Sequence, residues 1–350
     1  MLAARLHAPG DGLRLEEVPL PEPAGAEVRV RVAGCGVCHT DLHITDGIQA
    51  RVELPVTLGH EVAGSIDAIG PDAVTPLRRA RLAIGDPVIV FGGWGCGACR
   101  ECASGAEQRC ASSRAPGFQA DGGYAEAMIV PDPRHLVRLG ALDPVRAAPL
   151  ADAGVTPYRA VRRAEPWLVA GARVLLIGCG ALGGFALQYL RLLPAARREL
   201  MVAVRELDPA RLERAAELGA DVGVLDGEPA MTLEAMSGAA DVVLDLVGSD
   251  ETLGHAADVV APDGLVLLVG EAGGRLPFGF DRPAVESWLT SVAWGSRDDL
   301  RDVVRLAARN RVRWEVEPMP LREVATAHAR LRAGNVRGRL VLTPGSDAPS

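Results

Sequence analysis

Residues 1–150 carry short runs of alternating apolar and polar residues, cut by Gly and Pro every few positions. The stretch EVRVRV at 27–32 is the plainest of them, with a period of two that puts every second side chain on one face of a strand. Comparable runs at 61–69, 87–91 and 124–130 predict a β-rich, partly closed domain. From Ala172 the pattern changes. RVLLIG is a continuous apolar strand, followed by the turn CGALGG and the helical pattern FALQYLRLL, which Pro194 stops. The strand MVAVRE and the helix PARLERAAELGA, closed by Gly219, come next. DVGVL, DVVLDLVG and GLVLLVG supply further buried strands, with a helical segment near 251–260. Strands apolar on both faces and alternating with helices predict a parallel sheet. The final stretch, 288–343, returns to mixed strand and helix and is expected to pack back on the first domain.

Composition narrows the function classes. With 350 residues and 48% hydrophobic content, the chain can bury two sizeable cores. Mean hydropathy is +0.14, yet no uncharged apolar run approaches the roughly 18 to 20 residues that span a bilayer. The N-terminus lacks a secretory pattern, so a reducing cytoplasm is expected, where clustered cysteines bind metal more often than they crosslink. A formal charge of −8 without a basic block argues against a nucleic-acid surface. All 37 basic residues are Arg, and Lys is absent. That excludes Schiff-base chemistry, a P-loop lysine and the Tyr-Lys pair of short-chain dehydrogenases.

Cys96, Cys99, Cys102 and Cys110 form Cys-x2-Cys-x2-Cys-x7-Cys in a Gly-rich lobe at about 93–112, a spacing that lets four thiolates wrap one tetrahedral zinc ion. Gly178-Cys179-Gly180-Ala181-Leu182-Gly183 is a G-x-G-x-x-G turn between a buried strand and an amphipathic helix, the setting that binds a dinucleotide pyrophosphate. Glu206, at the end of the next strand, is placed to accept hydrogen bonds from the adenosine ribose and to repel a 2′-phosphate, which favours NAD. It lies 23 residues beyond Gly183, consistent with an extended loop at 194–198. Arg205 beside it is the feature that would suit NADP. In GCGVCHTDLH and LGHE, Cys38 and His60 suggest two ligands of a divalent metal, which needs a third, anionic ligand to leave one position for substrate.

GCGVCHTDLH, LGHE, the four-Cys lobe, DAGVTPYRA, IGCGALGG and the tail HARLRAGNVRGRLVL together resemble the zinc-dependent medium-chain alcohol dehydrogenases, over nearly the whole chain. The nearest likeness is to the bacterial NAD-dependent branch acting on secondary alcohols. The resemblance implies a two-domain α/β fold. A GroES-like catalytic domain would span 1–155 and be completed by 286–350, with a Rossmann domain of doubly wound parallel sheet at 156–285. It implies two zinc ions per subunit, a homotetramer or homodimer, and a small alcohol, ketone or aldehyde as substrate, with no nucleic-acid or membrane partner. Carried over by position, Cys38, His60 and Asp152 would hold the catalytic zinc, with Glu61 able to approach it and Asp41 orienting the His ligand. Thr40 and His43 match the proton relay, His39 and Arg339 pyrophosphate contacts. Cys35 and Cys179 are expected as packing residues. Phe91, Trp94, Trp288 and Trp294 are candidate pocket-lining residues, and Gly184 and Ala293 depart from the nearest branch. A polyol, threonine or formaldehyde dehydrogenase, or a non-catalytic NAD(H) sensor, is the alternative.

Overall fold

The computed structural model describes residues 1–49, 51–194 and 199–345, and the chain divides into two compact units. The first comprises Met1–Val155, Trp294–Asn310 and the chain from Glu315 onward. The second comprises Thr156–Ala293 and Arg311–Trp314. Residues 195–198, part of the loop expected before Glu206, lie outside the described residues.

In the first unit a small sheet joins β1 (Leu2–Leu6), β2 (Arg14–Glu17) and β4 (Val56–Thr57). A larger sheet is built on β3 (Val28–Gly36) and β5 (Glu61–Ile69), with β6 (Pro87–Val90) and β8 (Leu136–Arg138) continuing beyond β5. β7 (Ala127–Val130) also pairs with β3. The β3 alternation buries Val28, Val30 and Val32 in a core with Val62, Ile66, Val88 and Met128, each methyl-bearing side chain worth roughly 1.5–3 kcal/mol when fully buried. Register shifts between Arg29 and Val30 and between Val32 and Gly34 mark bulges or irregularities on the β3–β5 ladder, a device that bends strands in partly closed sheets.

The antiparallel β3–β5 pair positions the chemistry. Its register sets Gly36 opposite Glu61, so the end of β3 and the start of β5 lie at the same edge of the sheet. Cys38 follows β3 and His60 precedes β5, which brings together residues separated by a long connection. The turn Ala148–Ala151, which ends at Asp152, packs against both strands.

The second unit is a six-stranded parallel sheet ordered β11–β10–β9–β12–β13–β14, with β9 (Arg173–Ile177), β10 (Met201–Glu206), β11 (Val222–Leu225), β12 (Ala240–Asp245), β13 (Val260–Leu268) and β14 (Trp288–Ser291). Its order steps outward from β9 in both directions, the doubly wound plan that binds ligands at the carboxyl ends of its strands where the order reverses. β9 is buried on both faces (Val174, Leu175, Leu176 and Ile177), as its unbroken apolar run requires.

The boundary expected at 286 is displaced. Trp288–Ser291 pairs in parallel with β13 as the edge of the second unit, and the return to the first unit begins at Trp294. All four β14 residues are exposed, so the segment lacks the apolar run that marks its sister strands. β15 (Val316–Pro320) and β16 (Arg339–Thr343) complete the large sheet of the first unit, β16 pairing with β3 beside Cys35 and Gly36.

Candidate functional site

At the shared edge of β3 and β5, the donor atoms of Cys38, His60 and Asp152 all lie within 4.8 Å of one another. Asp152 Oδ2 is 3.6 Å from His60 Nε2 and 3.7 Å from Cys38 Sγ. His60 is almost fully buried, and its other ring nitrogen, Nδ1, lies 3.3 Å from Asp41 Oδ1. Burial pushes the His60 pKa down, but Asp41, Asp152 and Cys38 outweigh it and hold the imidazole well above its ordinary 6.5. The surplus of negative charge around one buried imidazole is what a divalent cation offsets. A thiolate, an imidazole and a carboxylate are zinc donors, and three of them leave a tetrahedral position for substrate.

Cys96, Cys99, Cys102 and Cys110 likewise bring their sulfurs within 4.8 Å of one another, and all seven cysteines are free thiols. Hydrogen bonds from the Ala98 and Cys99 amides lower the Cys96 pKa to about 6, whereas burial and its neighbours push Cys102 up to about 12. Four thiols this close resist ionising together unless a cation balances them. The residues fit a closed zinc site.

In the second unit Gly178 has φ +88 directly after β9, a left-handed conformation that favours glycine. A Cβ on Gly183 would lie 2.4 Å from Gly178 O, so the helix Ala181–Arg191 meets the loop only because that residue has no side chain. Nothing lies within 4 Å of a Cβ on Gly180, and no side chain caps the helix, leaving the amides at Ala181 and Leu182 for an anion. Glu206 is buried and accepts from the backbone N–H of Cys179 (2.7 Å) and of Leu207 (2.8 Å), which fixes its carboxylate beside the Gly-rich loop.

Two family descriptions match the sequence, the alcohol dehydrogenase GroES-like domain over residues 24–141 and the zinc-binding dehydrogenase over 218–342. A D-arabinose 1-dehydrogenase (NADP(+)) of Saccharolobus solfataricus is 36% identical over 98% of this chain and 97% of its own. The chain belongs to the zinc-dependent medium-chain alcohol dehydrogenase family. A second relative, an NAD-dependent alcohol dehydrogenase of Sulfurisphaera tokodaii, is 34% identical over 98% of this chain and all of its own. The alcohol dehydrogenase of Aeropyrum pernix superposes with a TM-score of 0.90 at 35% identity, covering 98% of this chain and 100% of that one.

Three residues of this dehydrogenase have partners that the sequence did not show. Glu61 is not grouped with the metal donors. Both of its oxygens face Arg339, with Oε2 accepting from Nε at 2.9 Å and Oε1 from a terminal nitrogen at 2.5 Å, and Oε1 also accepts from Ala153 N–H. Arg339, expected at the pyrophosphate, is buried and pairs with Glu61, which is itself wholly buried and needs a cation. A side chain on Gly36 would collide with Glu61, so that glycine makes room for the carboxylate. Arg205, the residue that would have suited NADP, points away from Glu206 by strand alternation and pairs with Glu251 at 2.6 Å.

Thr40 Oγ1 lies 3.6 Å from Cys38 Sγ, and His39 is exposed at the start of the helix His39–Thr45. His43, expected to titrate near neutrality, is half-buried, and burial lowers its pKa below 6.5. Of the candidate lining residues, Trp294 reaches the metal site, its ring 6.1 Å from His60 and 5.9 Å from Phe118. Trp94 is buried with its indole N–H on Phe91 O, Phe91 stacks on His135, and Trp288 lies on the exposed edge strand. Ala293 is exposed. The sequence reading missed Phe118, 5.8 Å from His60, and Tyr124, whose hydroxyl donates to Asp41. Neither carries a spacing signal, since both reach the site through chain pairing alone.

Proposed function

We propose that this enzyme interconverts alcohols, chiefly secondary and apolar ones, with ketones or aldehydes, using NAD and two zinc ions per chain. The observation that carries the reading is the convergence of Cys38, His60 and Asp152 at one sheet edge, in a chain that also presents a dinucleotide loop. Zinc held by these three would act as a Lewis acid on the carbinol oxygen, and bound nicotinamide would exchange the hydride. Asp41 holds the His60 ring from behind. Trp294 and Phe118 wall the site with apolar surface, which suits an apolar substrate and keeps water out. Thr40, 3.6 Å from Cys38 Sγ, would supply the hydroxyl that takes the substrate proton. His43, neutral at pH 7 because burial lowers its pKa, is the base that hands the proton to solvent. The four cysteines of the Cys96–Cys110 lobe would hold the second, structural zinc.

For the cofactor, the Gly178–Gly183 loop and the amides at Ala181 and Leu182 receive the pyrophosphate, with His39 a further contact. Glu206 supports NAD, and Arg205 is neutralised elsewhere. One observation favours a second reading, a sugar or polyol with NADP. The Saccharolobus relative carries that activity in its name, and the Trp294 indole N–H is buried without a partner among the described residues, on a ring 6.1 Å from His60. The open edge strand β14, with Trp288 and Leu289 exposed, supports a homo-oligomer formed by pairing two copies. Seven free thiols fit a reducing cytoplasm. Among the described residues no helix is long and apolar enough to cross a membrane.

The test is turnover with NAD and NADP on a panel of secondary alcohols, polyols and aldoses, with metal content measured on the same sample. The reading expects the highest kcat/KM on secondary alcohols with NAD. Preference for aldoses with NADP would establish the second reading, and cofactor binding without turnover on any of them would point to a sensor.

A further inference from the structure

We propose that Tyr124 is a positioning residue for the metal site, its ring and hydroxyl together fixing the orientation of His60 and Asp41. The inference rests on the reading of Cys38, His60 and Asp152 as metal ligands.

Residues 122–124 run beside 57–59, the segment that delivers His60. Three amides clamp the two together: Gly122 N–H donates to Thr57 O, Gly123 N–H to Gly59 O and Tyr124 N–H to Leu58 O, at 2.8, 2.8 and 2.9 Å. Gly59, immediately before His60, has φ +94, and a Cβ there would fall 2.4 Å from Tyr124 Cδ1 and 2.6 Å from Cys35 Sγ. The tyrosine ring therefore lies against the peptide that carries the ligand, in space only a glycine leaves open. From this position the phenol reaches Asp41 and donates to its Oδ2 at 2.8 Å. The same oxygen accepts the backbone N–H of Cys38 at 2.8 Å, while Oδ1 faces His60 Nδ1. One carboxylate is thus held by both ligand-bearing segments and by Tyr124.

The type of donor matters. A hydroxyl fixes the carboxylate without neutralising it, so the Asp41 charge stays available to the imidazole. Asp41 and Tyr124 are both fully buried, and His328 packs edge-on against the tyrosine at 5.9 Å, which keeps the hydroxyl–carboxylate contact away from solvent. Removing the hydroxyl leaves the Asp41 Oδ2 with the Cys38 amide alone and loosens the carboxylate, and partners of metal-bound histidines typically contribute 10–100-fold to metal affinity.

The experiment compares the full-length parent with Tyr124→Phe, which keeps the ring. Zinc affinity is measured at each of the two sites by chelator competition, with the visible spectrum after cobalt substitution and separate kcat and KM values. Zinc should bind about 10–100-fold more weakly at Cys38–His60–Asp152. The cobalt bands should shift and kcat should fall more than KM changes, while the four-Cys site keeps its affinity as an internal control. Unchanged affinity and spectrum would overturn the inference, as would an equal loss at both sites, which marks a merely structural role. A parent that binds metal only at the four-Cys lobe would overturn the ligand reading itself, and this inference with it. That failure appears before any substitution is made.

Discussion

Glu61 and Arg339 form a buried pair next to the metal-ligand cluster, with Arg339 also 4.0 Å from Asp152. Burial pushes the Glu61 pKa up and Arg339 draws it back, so neither charge is comfortable without the other. Breaking such a pair on one side leaves a charge without compensation, which costs about 3–5 kcal/mol. Arg339→Met should therefore lower unfolding free energy by about that amount, measured by denaturant titration. A variant of near-normal stability with sharply weakened cofactor binding would return Arg339 to the pyrophosphate. The sequence placed Arg339 correctly in the tail but could not show its partner, because 278 residues separate the two and only the β16–β3 pairing joins them. Asp152 was similarly invisible to spacing. It reaches His60 because the turn at 148–151 packs on β3 and β5, a contact no local pattern encodes.

At the scale of elements, the βα units were the most legible. Apolar runs such as Arg173–Ile177 and the Gly178–Gly183 turn carry their structure locally, through burial on both faces and a required positive φ. The same reasoning should have separated Arg205 from Glu206, since adjacent residues on a strand face opposite sides. The ion pair to Glu251 shows that they do. Glu206 accepts the Cys179 amide of the Gly-rich loop, and under the proposed NAD specificity the same carboxylate repels a 2′-phosphate. Glu206→Ala should therefore raise the KM for NAD by about tenfold while changing the NADP value less, a difference of roughly 1.4 kcal/mol. Equal losses with both cofactors would mean that the carboxylate serves the loop alone. β14 escaped detection for an opposite reason. A four-residue edge strand with every side chain exposed has neither alternation nor an apolar run, and its place is set by the backbone of β13.

For the whole molecule, the sequence reading held at the level of its two kinds of architecture, a β-rich unit and a parallel sheet, each with its own core. What it could not supply was the path by which the chain leaves one unit and re-enters it. Trp294–Asn310 belongs with the first unit, Arg311–Trp314 with the second, and Glu315 onward with the first again. Such crossings follow from which buried faces meet, and the segments involved are amphipathic helix and short strand of no distinctive composition. Trp294 is an instance with chemical consequence, since re-entry to the first unit sets its ring against His60.

The proposed activity requires a metal ion at the cluster of Cys38, His60 and Asp152. Metal content per chain, measured beside alcohol-dependent turnover in the parent and in Asp152→Ala, tests this most directly. Two zinc ions in the parent, one in the variant and a fall in kcat/KM of about a thousandfold, with the fold intact, is the expected result. A variant that keeps both ions and its full turnover would contradict it.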